Sequence, residues 1–103
     1  MDIAQKRVAA WVERGDANAP LNLSRLRLDV LPELPAEIQK LDVSHNDLVA
    51  LGALPRDLRI LDVSHNPIRN LAGLPPGIQY IVYSAGQLEH ETLPAGARSV
   101  EIV

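Results

Sequence analysis

From Leu21 onward the apolar and polar positions of the chain recur with a period of 20 residues. Residues 21–40 read LNLSRLRLDVLPELPAEIQK, 41–60 read LDVSHNDLVALGALPRDLRI and 61–80 read LDVSHNPIRNLAGLPPGIQY. Residues 81–99 read IVYSAGQLEHETLPAGARS, one residue shorter, and VEIV follows. Aligned by column, the first position holds Leu21, Leu41, Leu61, Ile81 and, after the deletion, Val100. The third holds Leu23, Val43, Val63, Tyr83 and Ile102, and the fourth holds Ser24, Ser44, Ser64 and Ser84. The eighth is Leu28, Leu48, Ile68 and Leu88, and a Leu-Pro pair recurs at 34–35, 54–55, 74–75 and 93–94. Alternating apolar residues at columns one and three predict a short extended strand per repeat, buried on one face.

Each repeat buries its apolar residues only against its neighbours, so the strands stack in parallel and the core runs through the stack. Asn46 and Asn66, at column six, stand where the chain turns out of the strand, and an amide there can bond backbone groups left unpaired at the bend. Column six is Leu26 in the first repeat and Gly86 in the last, as expected of less regular terminal repeats. The return path carries Leu-Pro pairs with Gly52, Gly73 and Gly77. Proline disfavours helix there, so an extended convex side is predicted.

Residues 1–20 differ in period. Asp2 is placed to cap a helix, and Ile3, Val8, Trp11 and Val12 are expected on its inner face. Gly15 ends it and Pro20 forbids continuation. The segment reads as a cap over the open end of the stack, with Trp11 as its plug and ligand stacking as the lesser alternative. The organisation is therefore a capping helix and linker over 1–20 and repeats over 21–103, one domain in all. The far end, Val100–Val103, reads as a fifth strand with an open edge. It can pair with a second copy, continue into further repeats, or be short enough to be tolerated.

Composition sharpens this. The 103 residues include 16 Leu, 8 Pro and no Cys. Without cysteine there is no disulfide framework, thiolate metal site or thiol nucleophile. With 10 Lys+Arg against 13 Asp+Glu the net charge is -3, which argues against a nucleic-acid binder, as does a count of only three aromatic residues, Trp11, Tyr80 and Tyr83. No apolar stretch approaches a membrane span, and Met1 to Gly15 does not read as a signal peptide. Gly73 to Gly77 lacks the spacing and the Lys of a phosphate loop.

Residues Ile38 to Leu48 and Leu58 to Ile68 fit L-x-x-L-x-L-x-x-N-x-L, with Ile or Val allowed for Leu. The stretches Leu34-Pro35 to Leu48 and Leu54-Pro55 to Ile68 further resemble the bacterial leucine-rich repeats of YopM/IpaH-type type III secreted effectors, built around L-P-x-x-L-x-x-L-x-V-x-x-N-x-L. The doubled Leu31-Pro32-Glu33-Leu34-Pro35 after Leu21-Asn22-Leu23-Ser24 is similar to that family's first repeat, as is a Trp-bearing helical cap. The resemblance covers about residues 11 to 85. It implies an α/β repeat solenoid with a short leucine-rich repeat, a parallel β-sheet on the concave side, an extended convex side and an N-terminal capping helix. Members commonly have a longer array, a secretion leader and, in one branch, a ubiquitin-ligase domain with a catalytic cysteine. This chain shows few repeats, no leader and no cysteine, so no ligase activity carries over.

Candidate chemistry lies on the concave strand positions. The second column gives Asn22, Asp42, Asp62 and Val82, with Glu101 equivalent, and the fifth gives Arg25, His45, His65 and Ala85. The column before each strand gives Pro20, Lys40, Ile60, Tyr80 and Ser99. Asp42 and Asp62 would stack about 4.8 Å apart, as would His45 and His65. Such a cluster invites metal or general-base chemistry. Both pairs arise, however, because Leu-Asp-Val-Ser-His-Asn occurs twice, and columns two and five lie about 10 Å apart along a strand. Scaffold is the favoured role, and no metal, cofactor or catalytic group is assigned. Ser44 and Ser64 share that duplication and lack an oriented base.

Ile60, Tyr80 and Val82 break the pattern by being apolar where polar residues would serve. Rimmed by Lys40, Arg59, Asp62 and His65, they suggest a protein-binding patch, unless the helix, the tail or a register slip covers them. The expected function is a non-catalytic protein-interaction module binding on Lys40, Asp42, His45, Ile60, Asp62, His65, Tyr80 and Val82. It would act in the cytoplasm, or in a host cell if secreted as an effector. A self-assembling protein dimerising through Val100–Val103 is the alternative.

Overall fold

A computed structural model describes residues 2–69, 71, 74–85, 87 and 98–102. Leu88, the Leu-Pro pair at 93–94, Gly73, Gly86 and Val103 lie outside the described residues.

The chain opens with helix α1 (Ile3–Arg14). Asp2 caps it: its Oδ1 accepts from the Gln5 backbone N–H at 2.8 Å, and Gln5 Oε1 accepts from the Asp2 N–H at 3.1 Å. This reciprocal pair satisfies donors that a helix N-terminus leaves open. Gly15 ends the helix at φ 69°, its N–H donating to the Val12 carbonyl.

The buried face of α1 is narrower than the sequence suggests. Ala4 and Trp11 are buried and Val8 is half-buried, whereas Ile3 is 59% and Val12 55% exposed. At 3.6 residues per turn, Ala4, Val8 and Trp11 form one stripe, with Ile3 about 110° from its middle on one side and Val12 about 70° on the other. The solenoid end that α1 covers is a strand of two residues, which leaves room for the stripe alone. Trp11 is the plug: it is 8% exposed and its Nε1–H donates to the Ala19 carbonyl at 2.8 Å.

Five strands follow: β1 (Leu21–Asn22), β2 (Lys40–Asp42), β3 (Ile60–Asp62), β4 (Tyr80–Ser84) and β5 (Arg98–Ile102). They form one parallel sheet in chain order. Leu21, Leu41, Leu61 and Ile81 stand in register, matching the sequence period. These four, with Leu23, Val43, Val63 and Tyr83, are at most 4% exposed. Ile38, Leu58 and Ile78 before the strands, and Leu48 and Ile68 after them, complete the stack at 0 to 4% exposure. Burial at about 25 cal/mol per Å2 of apolar surface makes this column the main source of stability.

The Leu-Pro pairs have a geometric role. The carbonyls of Pro35, Pro55 and Pro75 accept from the N–H of Ile38, Leu58 and Ile78 at 3.3 to 3.5 Å. Each closes a tight turn that aims the chain into the next strand, so the apolar residue three positions after the proline enters the core. The described return path contains no helix.

The last strand corrects the column alignment. Ser99 pairs with Ile81 and Val100 with Val82, so the spacing shortens to 18 residues and Arg98, not Ser99, stands beside Tyr80. Val100 and Ile102 take the registers of columns two and four rather than one and three. The alignment placed apolar residues in core columns, but parallel register is set by the backbone ladder, here anchored by the Arg98 N–H on the Gln79 carbonyl at 2.8 Å.

Candidate functional site

The outward strand positions fall into rows across the sheet. Lys40, Ile60, Tyr80 and Arg98 are register partners in the first row, and Asn22, Asp42, Asp62, Val82 and Val100 in the second. Ile60 and Val82 are half-buried and Tyr80 is 41% exposed. Adjacent strands lie about 4.8 Å apart, so Ile60 and Tyr80 are lateral neighbours and Val82 stands one pleat along from Tyr80. Exposed Lys40 and Arg98 flank this apolar trio. Arg98 went unrecognised from sequence because the last register was misjudged.

Asp42 and Asp62 serve the backbone. Each Oδ1 accepts from the N–H and Oγ–H of the serine two residues on, Ser44 or Ser64, at 2.6 to 3.0 Å. Asn22 does the same for Ser24. These Asx turns begin the bend out of each strand, and the spent oxygen leaves each carboxylate less to offer a ligand.

Inside the bend, Asn46 Nδ2–H donates to the carbonyls of Leu23, Val43 and Ser44, and its Oδ1 accepts from the N–H of Leu26 and Leu28. Asn66 repeats this toward Val43, Val63, Ser64 and Leu48. In the fourth repeat Val82 has no oxygen for Ser84. Gln87 takes over: its Oε1 accepts from the Ser84 N–H at 2.8 Å, and its Nε2–H donates to the Val63 carbonyl at 2.8 Å. One residue beyond column six, the extra methylene of Gln supplies the reach. The signal was present in the sequence as an amide one position late.

His45 and His65 do not join the apolar row. They lie past the strands, at φ 56° and 55°, and Arg25 occupies the same place at φ 59°. The two rings stack with centroids 4.1 Å apart at 16°. Arg25 Nη2 is 3.4 Å from His45 Nε2. The His45 pKa is lowered from 6.5, first by desolvation and then by the charges of Arg25 and His65, against a smaller upward pull from Asp62 and Asp42. Among the described residues no cluster of three or more potential ligands could hold a metal. No helix among them is long and apolar enough to cross a membrane.

Period, asparagine ladder and parallel sheet together define a leucine-rich-repeat solenoid of α/β type. Residues 57–81 match the Leucine Rich Repeat family model. No curated protein matches the sequence. In three dimensions the chain is similar to the leucine-rich repeat domain of a Shigella effector, with TM-score 0.70 and 25% identity. The match covers 97% of this chain and 55% of that one, so the chain spans about half the length of its structural relative. The resemblance to bacterial effector repeats thus holds in fold as well as motif. Leucine-rich repeat domains are in general protein-interaction modules.

Proposed function

We propose that this chain is a non-catalytic protein-binding module whose partner docks on the outward face of β2 to β4. The observation that carries this is the trio Ile60, Tyr80 and Val82, apolar and accessible in rows that carry Lys40, Asp42 and Asp62 on the preceding strands. An accessible tyrosine between aliphatic neighbours is the usual anchor of an interface centre, and Lys40, Arg98 and Asp62 supply a charged rim. Asp42, His45 and His65 contribute at the periphery. Likeness to an effector domain supports a bacterial effector, inhibitor or adaptor acting in a bacterial or host cytoplasm.

The test is a pull-down with the wild-type chain, repeated with Tyr80→Ala, Ile60→Asp and, as a control for general stickiness, Val30→Asp at an exposed position off this face. Tyr80→Ala is expected to weaken the captured partner by about 2 kcal/mol, roughly 30-fold, and Ile60→Asp to abolish capture. The control should retain it. A partner held equally by all four chains overturns the proposal. A second reading, a homodimer through the edge of β5, is favoured by one fact: among the described residues β5 pairs with β4 alone.

A further inference from the structure

Column five builds a ladder of planar groups that stops one rung early. The Arg25 guanidinium contacts the His45 ring edge, and the His45 ring stacks on His65. Strand order puts the next rung after β4, where Ala85 offers only a methyl group. A cleft of about 300 Å3 opens there, lined by His65, Asn66, Pro67, Arg69, Ser84, Ala85 and Gln87. Its walls are held in place: the His65 N–H donates to Ser84 Oγ at 2.8 Å, and Gln87 is fixed by its two bonds. His45 stacks on one face of the His65 ring, and His65 also lines this cleft, together with residues that follow β4.

We propose that the cleft receives an aromatic side chain of a protein partner, stacked on the face of His65 opposite His45 as the fourth planar rung. Offset stacking at the spacing already set by the histidine pair favours a flat ring. Arg25 on the ladder and Arg69 on the rim make a neutral ring a better occupant than a guanidinium. Proline and the Ala85 methyl add apolar walls. That the ring belongs to a protein rests on the proposed partner-binding role; the stacking site itself does not.

The experiment titrates the full chain with N-acetyl-tryptophanamide and follows the His65 ring Hε1 resonance, assigned with His65→Gln. A saturable upfield shift, larger at His65 than at His45, is expected, and N-acetyl-alaninamide should produce none. Ala85→Phe fills the rung and should weaken probe binding about tenfold. Ala85→Ile, a smaller block, should act in the same direction. Ile60→Asp should leave the probe shift intact while abolishing partner capture. Absence of a saturable shift, or probe binding indifferent to both Ala85 substitutions, overturns the stacking site. Neither result would bear on the Tyr80 variants, so the two proposals fail separately.

Discussion

At the scale of single residues the fold depends on a few amides. Asn46 bonds three carbonyls and two N–H groups at a buried bend. Truncation removes the partner of the Leu23 carbonyl and of the Leu26 and Leu28 N–H groups, while the Val43 and Ser44 carbonyls keep the Asn66 amide and the Arg25 N–H; each orphaned group costs about 1–3 kcal/mol before relaxation. Asn46→Ala is expected to cost about 3 kcal/mol, and Gln87→Ala, with two bonds at a half-buried site, about 1 kcal/mol. Urea denaturation checks this, with the midpoint falling at constant m-value. Asn46 and Asn66 were legible because they repeat; Gln87 was not, since its reach and not its column lets it substitute. His45 supplies a pH dependence. Its pKa is lowered from 6.5 in the folded chain, by desolvation and by Arg25 and His65, against Asp62 and Asp42. The unfolded chain therefore binds the proton at higher pH, so stability is full above about 6.5 and declines as pH falls toward the folded value. His45→Gln should flatten that decline when unfolding free energy is measured between about pH 7.5 and 5.

At the scale of elements the sequence located segments well and orientations less well. Asp2 and Gly15 bounded α1 correctly because caps are local chemistry. Its inner face was set by what it covers, a two-residue strand, and that is tertiary information. The consequence is measurable. Trp11→Ala removes a buried ring and its hydrogen bond to Ala19, and should cost about 3–5 kcal/mol. Ile3→Asp and Val12→Asp, at exposed positions that pattern alone would call core, should each change stability by less than about 0.5 kcal/mol. Thermal or urea unfolding of the three variants separates the two faces. The apolar trio was legible by the same logic in reverse: an apolar residue in a polar column has no structural duty there. Strand β5 was misregistered because Val100 and Ile102 offered an attractive core alignment. A one-residue slip exchanges faces along a strand, and nothing local distinguishes the two choices.

At the scale of the whole molecule the two ends of the sheet are unequal. On the first edge α1 lies against β1, with Trp11 over the core and Arg7 Nη1 donating to the Asn22 carbonyl at 3.2 Å. On the last edge, no strand among the described residues pairs with the outer side of β5, and such an edge can template pairing with another chain. Two copies joined there would be related by a two-fold axis, with the β5 strands running antiparallel and the sheets continuous. The strand's sequence works against this. Arg98 and Glu101 place charge on five residues, and charge on an edge strand is a common guard against pairing. If function resides on the outward face of β2 to β4, the chain should sediment with the mass of one copy over a wide concentration range. With the Arg98 N–H bonded to β4, the Glu101 N–H faces the outer edge, so Glu101→Pro removes an edge donor and should then leave the mass unchanged. A dimer that this substitution dissociates would move the functional assignment from the apolar trio to the edge of β5. The apolar trio would then be tested in the dimer, where Tyr80→Ala should still leave the mass untouched, because Tyr80 lies on the sheet face and not on its edge.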